Sequence, residues 1–338
     1  MSGVLDEVYE RLRATGPEFD GWLSNHGPMA ADALLRLGPD DVVHVHRWVD
    51  RYLDRLEEAP SPHRPIPDDG WAEALGDAGR LGDWRAYFDR QLAAQPWTEV
   101  LGTWWPRLLP GAIAGATHGL IRTGHAVRAL REERTAPRIG ELAQALGYWA
   151  ARWQTVPGAV APAGSADVGR AFDDLPVVGS GGIVRRLGEL GRHPAWSPAL
   201  AALAPVGAEQ VPAALDALVD AAVVRYGRWA PGSPVMLVHA ATAPRAAALA
   251  LPSLPSSLWP ATYAAAWAAS AAITAVYRSP HPLPDPPDDV PADALLDRVL
   301  RNGDEHVIKF AETATDAADR GVRTARGAAV RATELITG

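Results

Sequence analysis

The chain has 338 residues, 48% of them hydrophobic, with a formal net charge of −8 and a pI near 5.7. That is enough apolar material for a sizeable core, and an acidic chain without a basic run lacks the electrostatic footprint of a nucleic-acid binder. No cysteine is present, which excludes disulfides and thiolate ligands, so a metal would have to be held by histidine nitrogen and carboxylate-like oxygen, a donor set suited to iron, manganese or zinc.

Helical periodicity dominates from end to end. Residues 1–16 are charged and amphipathic, unlike a basic start followed by an apolar core, so no secretory signal is read and a cytoplasmic location is expected. Helices are expected over 4–14, 29–37, 42–58, 71–78, 84–94, 97–105, 113–133, 139–153, 198–203, 212–229, 235–249, 258–277, 292–302 and 306–336. The spacing predicts an all-α protein with no convincing strand. Glycine and proline punctuate these segments rather than divide them, which favours one helical domain over 1–338, with a site assembled between helices from the whole chain. Two longer irregular connections remain, 157–182 and 279–291, the first placed to act as a lid or a joint. The alanine-rich stretch 258–277 contains Trp259, Trp267 and Ile273 but lacks the leucine density of a membrane span. Pro252, Pro255 and Pro260 also interrupt it and its approach, so it reads as a buried core helix and no membrane is implied.

The ten histidines sort by context. His26 lies in the turn Ser24-Asn25-His26-Gly27-Pro28, where loop packing is the plain role. His118 and His239 are isolated rings in apolar helices, each reading alone as a core histidine whose nitrogens need partners. His125 follows His118 by seven residues on the same helical face, about 10 Å away, too far to share an ion with it. With Arg122 it is placed along a pocket wall, as a residue that contacts substrate or supports the site. His44, His46, His63, His193 and His281 are read as structural or surface residues.

The last helix holds the most unusual position. Of 32 cationic side chains 31 are arginine, and the only lysine is Lys309, in Asp304-Glu305-His306-Val307-Ile308-Lys309. Residues three apart share a helical face, so His306 and Lys309 can address one point. Unlike arginine, a desolvated lysine loses its proton, and the neutral amine can capture carbon dioxide as a carbamate. Asp304 and Glu305 are read either as orienting a histidine or as favourable charges near a helix start. Among thirteen tryptophans, Trp104, Trp105, Trp149 and Trp153 flank the His118 helix and are candidates for stacking on a ligand.

Together these segments resemble the questin oxidase-like family, over nearly the whole chain. Four blocks carry the likeness: Asn25-His26 with Ala33-Leu34-Leu35-Arg36-Leu37-Gly38; Pro110 with Thr117-His118-Gly119-Leu120-Ile121-Arg122; Val238-His239-Ala240-Ala241-Thr242-Ala243; and Asp304 through Lys309, the most specific. The resemblance implies a non-heme Fe(II) oxygenase that takes O2 as co-substrate and acts on anthraquinone-type polyketides. It also implies His26, His118, His239 and His306 as nitrogen ligands and a carbon dioxide-derived carbamate on Lys309 as the oxygen ligand, with Lys309 and His306 at the catalytic centre. Four neutral imidazoles leave a divalent charge unmatched, and a carbamate would supply part of the balance. The chain departs from fungal relatives in carrying Arg122 where a second histidine is common and His125 where an aromatic is found. The expected activity is oxygen insertion into, or cleavage of, the ring of an aromatic polyketide or quinone. An NADPH-dependent Baeyer-Villiger-type monooxygenase is a close variant, although no Gly-x-Gly-x-x-Gly after a strand supports a built-in nucleotide domain. A metal-dependent hydrolase with a carbamylated lysine, or a binding protein for an aromatic molecule, are the readings from other classes.

Overall fold

The computed structural model describes residues 2–38, 42–179 and 181–337. Its elements are α1 (Ser2–Leu12), β1 (Glu18–Phe19), β2 (Leu23–Ser24), α2 (Gly27–Arg36), α3 (Val43–Leu53), α4 (Trp71–Ala74), α5 (Leu81–Ala94), α6 (Trp97–Leu108), α7 (His118–Glu132), α8 (Ala136–Ala151), α9 (Val168–Asp173), α10 (Ile183–Leu190), α11 (Trp196–Ala201), α12 (Val211–Trp229), α13 (Pro234–Ala250), α14 (Trp259–Tyr277), α15 (Ala292–Asn302), α16 (Glu305–Asp319) and α17 (Ala325–Leu335). The protein is all-α, as its periodicity requires. One antiparallel pair, Glu18 opposite Ser24 and Phe19 opposite Leu23, is the addition. Its turn uses Asp20 and Gly21 at φ 48° and 80°, a conformation these two residues tolerate better than most.

Several boundaries differ from expectation for identifiable reasons. The stretch 306–336 is two helices, because Gly321 at φ 101° ends the first in a left-handed step. The helix expected from 113 begins at His118, after Gly115, Ala116 and Thr117 all take positive φ. The connection 157–182 contains α9, whose N-cap Asp167 accepts from the Arg170 amide at 3.0 Å; Ser180 lies outside the described residues. The helix expected over 71–78 stops at Ala74 and resumes as a 3-10 turn, Ala78–Arg80.

Contacts group the described residues into two compact units, one running to Gln154 and including Leu249–Pro255, the other comprising Thr155–Ala248 and the chain from Ser256 onward. In the first, α8 packs against α5, α7 and α1, while α2 lies against α7, α1 and α3. The close approach of α7 to α8 depends on Gly119, where a Cβ would sit 2.7 Å from the Cβ of Trp149. Behind α8, Trp84, Tyr87, Phe88 and Trp104 form a buried aromatic cluster with centroids 4.9–5.8 Å apart.

In the second unit α12 packs against α14, α16 and α17, and α15 closes on α16 and α17. Small side chains let α14 approach α13 so closely that the Ser270 hydroxyl donates to the Ala240 carbonyl at 2.5 Å. Trp267 packs against Phe172 and donates its indole N–H to Leu200 at 3.1 Å. Among the described residues one apolar stretch, Pro234–Ser253, is long enough to cross a membrane, but 72% of it is buried within the protein, the behaviour of a core helix.

Candidate metal-binding residues

In the first unit two helix starts carry the histidines. His26 occupies the N-cap position of α2, and its backbone N–H donates to the Tyr52 hydroxyl at 2.8 Å. The neighbouring Asn25 side chain ties the turn down, donating to Thr15 and Gly16 and accepting from the Gly27 amide. At the start of α7, Gly115, Ala116 and Thr117 hold φ of 51°, 54° and 73°. Left-handed backbone at a β-branched residue is a true outlier and stores about 1–3 kcal/mol. This coil brings the Gly115 carbonyl beneath the His118 ring, whose Nδ1–H donates to it. The tautomer is thereby fixed, leaving the lone pair on Nε2. That atom lies 2.7 Å from Nε2 of His26, the rings standing edge to face with centroids 4.5 Å apart, and both are buried.

The second unit repeats the device. Asp304 is the N-cap of α16, its carboxylate accepting from the amides of His306 at 2.7 Å and Val307 at 3.3 Å and from the His306 Nδ1–H at 3.2 Å. Burial works against its charge, but the His306 ring and these amides outweigh it and hold the carboxyl below its ordinary value. On α13 the Nδ1–H of His239 donates to the Met236 carbonyl at 3.1 Å, so its lone pair also falls on Nε2. The His239 and His306 rings have centroids 5.5 Å apart. Asp304, Glu305 and His306 offer donor atoms within 4.8 Å of one another.

Lys309 follows His306 on the next turn of α16 and is 1% exposed. Among the described residues its Nζ has no hydrogen-bond partner. Burial lowers its pKa from 10.5 to about 7, against the opposing charges of Glu305 and Asp304. Burial thus favours the neutral amine, the form whose lone pair attacks carbon dioxide or another electrophile.

The remaining candidates have other partners. Arg122, 1% exposed, pairs in bidentate fashion with Glu141 on α8 at 2.6 and 2.8 Å. His125 sits apart from His118, as its spacing requires, and donates from Nδ1 to Asp32 at 2.9 Å. Trp105 and Trp149 meet edge to face at 5.4 Å, fully buried, with Trp149 bonded to the Gly111 carbonyl, while Trp104 belongs to the aromatic cluster. Trp153 lies against Gly111, 2.3 Å from where a Cβ would be. Trp104, Trp105 and Trp149 are built into the first unit's core, and Trp153 is half-buried at its edge. His44, His63 and His281 are exposed, and His46 and His193 half-buried. Sequence reasoning passed over Asp32 and Glu141. Each is a lone acid in an apolar helix, Ala30-Ala31-Asp32-Ala33-Leu34 and Gly140-Glu141-Leu142-Ala143, and a buried carboxylate there demands a cationic partner.

Comparison with protein-family models and with curated proteins gives no match.

Proposed function

We propose that this protein is a non-heme iron oxygenase acting on the ring of a hydroxylated aromatic or quinonoid polyketide, with one Fe(II) bound by His26, His118, His239 and His306 and by a carbamate formed on Lys309. The observation that carries the reading is the preparation of the donors. All four imidazoles are buried, three have their Nδ1–H committed to a carbonyl or carboxylate so that Nε2 is the donor atom, and the one lysine of the chain is buried with its amine unbonded. A carboxylate or carbonyl fixing the far nitrogen is the usual support of a metal-ligating histidine. Iron held there would supply the binding and reduction of dioxygen. The residues of the chain do the rest. Gly115 and Asp304 orient His118 and His306, burial keeps Lys309 able to take up carbon dioxide, and the apolar surroundings exclude water from the reacting groups. The family resemblance of the four histidine blocks supports the substrate class.

Metal analysis of anaerobically prepared protein, reconstituted with iron and bicarbonate, tests this. About one iron per chain is expected, lost in each of His118→Ala, His306→Ala and Lys309→Ala, because every ligand contributes to a single ion. Loss confined to variants of one unit refutes the shared ion. Stoichiometric zinc with oxygen-independent turnover would establish the hydrolase instead.

A further inference from the structure

Helices α2 and α7 start at His26 and His118 and run packed together. Six residues into one and seven into the other, Asp32 meets His125: the Asp32 carboxylate accepts from His125 Nδ1 at 2.9 Å, and the two are 0% and 6% exposed. The same carboxylate oxygen accepts from Arg128, through Nε at 3.1 Å and through a second guanidinium nitrogen, and Asp32 is also paired with Arg36. A carboxylate so compensated stays ionised, so the hydrogen between it and the ring belongs to Nδ1. When the ring is neutral its lone pair therefore lies on Nε2, which makes no hydrogen bond to any described residue. Arg128 also lies 3.2 Å from Nδ1. The buried Tyr9 hydroxyl also feels the charge of Asp32, together with Glu141 and Arg138, and Glu132 and Glu133 line the same region as Asp32. An imidazole backed by a carboxylate at Nδ1, its Nε2 on the far side of the ring, is the arrangement of a general base.

We infer that His125 takes the hydroxyl proton from a phenolic substrate whose opposite end lies toward His118; this rests on the function proposed above. The step is a simple transfer: the ring O–H breaks, Nε2–H forms, and the product is a phenolate facing an imidazolium that remains bonded to Asp32. No electrons change hands. Seven residues of helix separate His118 from His125 by about 10 Å, a span that a single ring does not bridge and a fused polycyclic phenol does. Within the polycyclic substrate class proposed above, His125 is thus a catalytic residue for molecules whose hydroxyl lies distant from the ring that is oxidised.

The probe is a hydroxyanthraquinone whose absorption moves to longer wavelength on ionisation, titrated anaerobically into the full-length protein with and without iron. Wild-type protein, even metal-free, is expected to raise the acid dissociation constant of the bound probe at least about tenfold. His125→Gln should bind it within about threefold of wild type yet leave it neutral, and Asp32→Asn, which unsettles the tautomer, should weaken the ionisation. Imidazole nitrogen NMR of labelled wild-type protein reads the same event without a variant, since Nε2 should gain a proton when the probe binds. A probe that stays neutral on wild-type protein, that ionises equally on His125→Gln, or that does not bind overturns the inference. Iron content, measured on the same samples, reports separately on the metal reading, and His125→Gln should retain it.

Discussion

Replacing Lys309 by methionine in metal-free, carbon dioxide-free protein removes a buried amine while keeping an unbranched chain of similar length. The lysine is 1% exposed, and burial carries its pKa from 10.5 to about 7. At 1.36 kcal/mol per pKa unit, the folded state bears a penalty of roughly 5 kcal/mol when the amine is charged in both folded and unfolded chains. The sign follows from proton counting. Between pH 7 and 10.5 the unfolded chain holds the proton and the folded chain has released it, so wild-type stability rises with pH across that window. The penalty is complete below pH 7 and absent above 10.5. The difference between wild type and Lys309→Met isolates this group, because the other titrations are common to both. Urea unfolding at pH 7 and pH 9 should show the advantage of Lys309→Met shrinking by about 2 kcal/mol over the two units. A difference independent of pH would mean that the amine is not desolvated and would remove the physical basis for a carbamate.

The buried pair Arg122–Glu141 yields a second expectation: Glu141→Leu alone leaves an uncompensated guanidinium and costs about 3–5 kcal/mol, whereas Arg122→Met with Glu141→Leu recovers most of it. Thermal unfolding of Glu141→Leu, Arg122→Met and the double variant reads this, and additive losses would contradict it. Asp304→Ala should cost about 1 kcal/mol as a lost helix cap and weaken metal affinity about 10–100-fold through the freed His306 ring; equal iron affinity in the variant would show that the contact does not orient a ligand. Gly119→Ala forces a Cβ to 2.7 Å from Trp149 and should destabilise the first unit by about 1–3 kcal/mol, measurable as a fall in midpoint denaturant.

Much of this was legible before any coordinates. The 3.6-residue periodicity of segments such as 42–58 and 292–302 required helices, because that conformation gathers their apolar residues onto one face, while 258–277 reads as a core helix from its length and all-round apolar composition. Lys309 stood out as the one lysine, a helical turn after His306, whereas His26, His118 and His239 read alone as packing residues and were joined to them by the family resemblance. The partners did not stand out. Asp32 and Glu141 were visible as lone acids in apolar helices, but which cation each would meet depends on helix pairing that no local pattern encodes. The left-handed run Gly115-Ala116-Thr117 was hidden for a related reason, since Ala and Thr have no intrinsic preference for positive φ and adopt it only where surrounding packing imposes it.

The amino-acid sequence by itself determined the all-α class, the donor types open to a metal and the singularity of Lys309, since these follow from composition and from periodicities that act within a few residues. Tertiary structure alone decided the depth of Lys309 and the union of His125 with Asp32. Hydrogen-bond direction and desolvation depend on distances between atoms that the chain brings together only by folding.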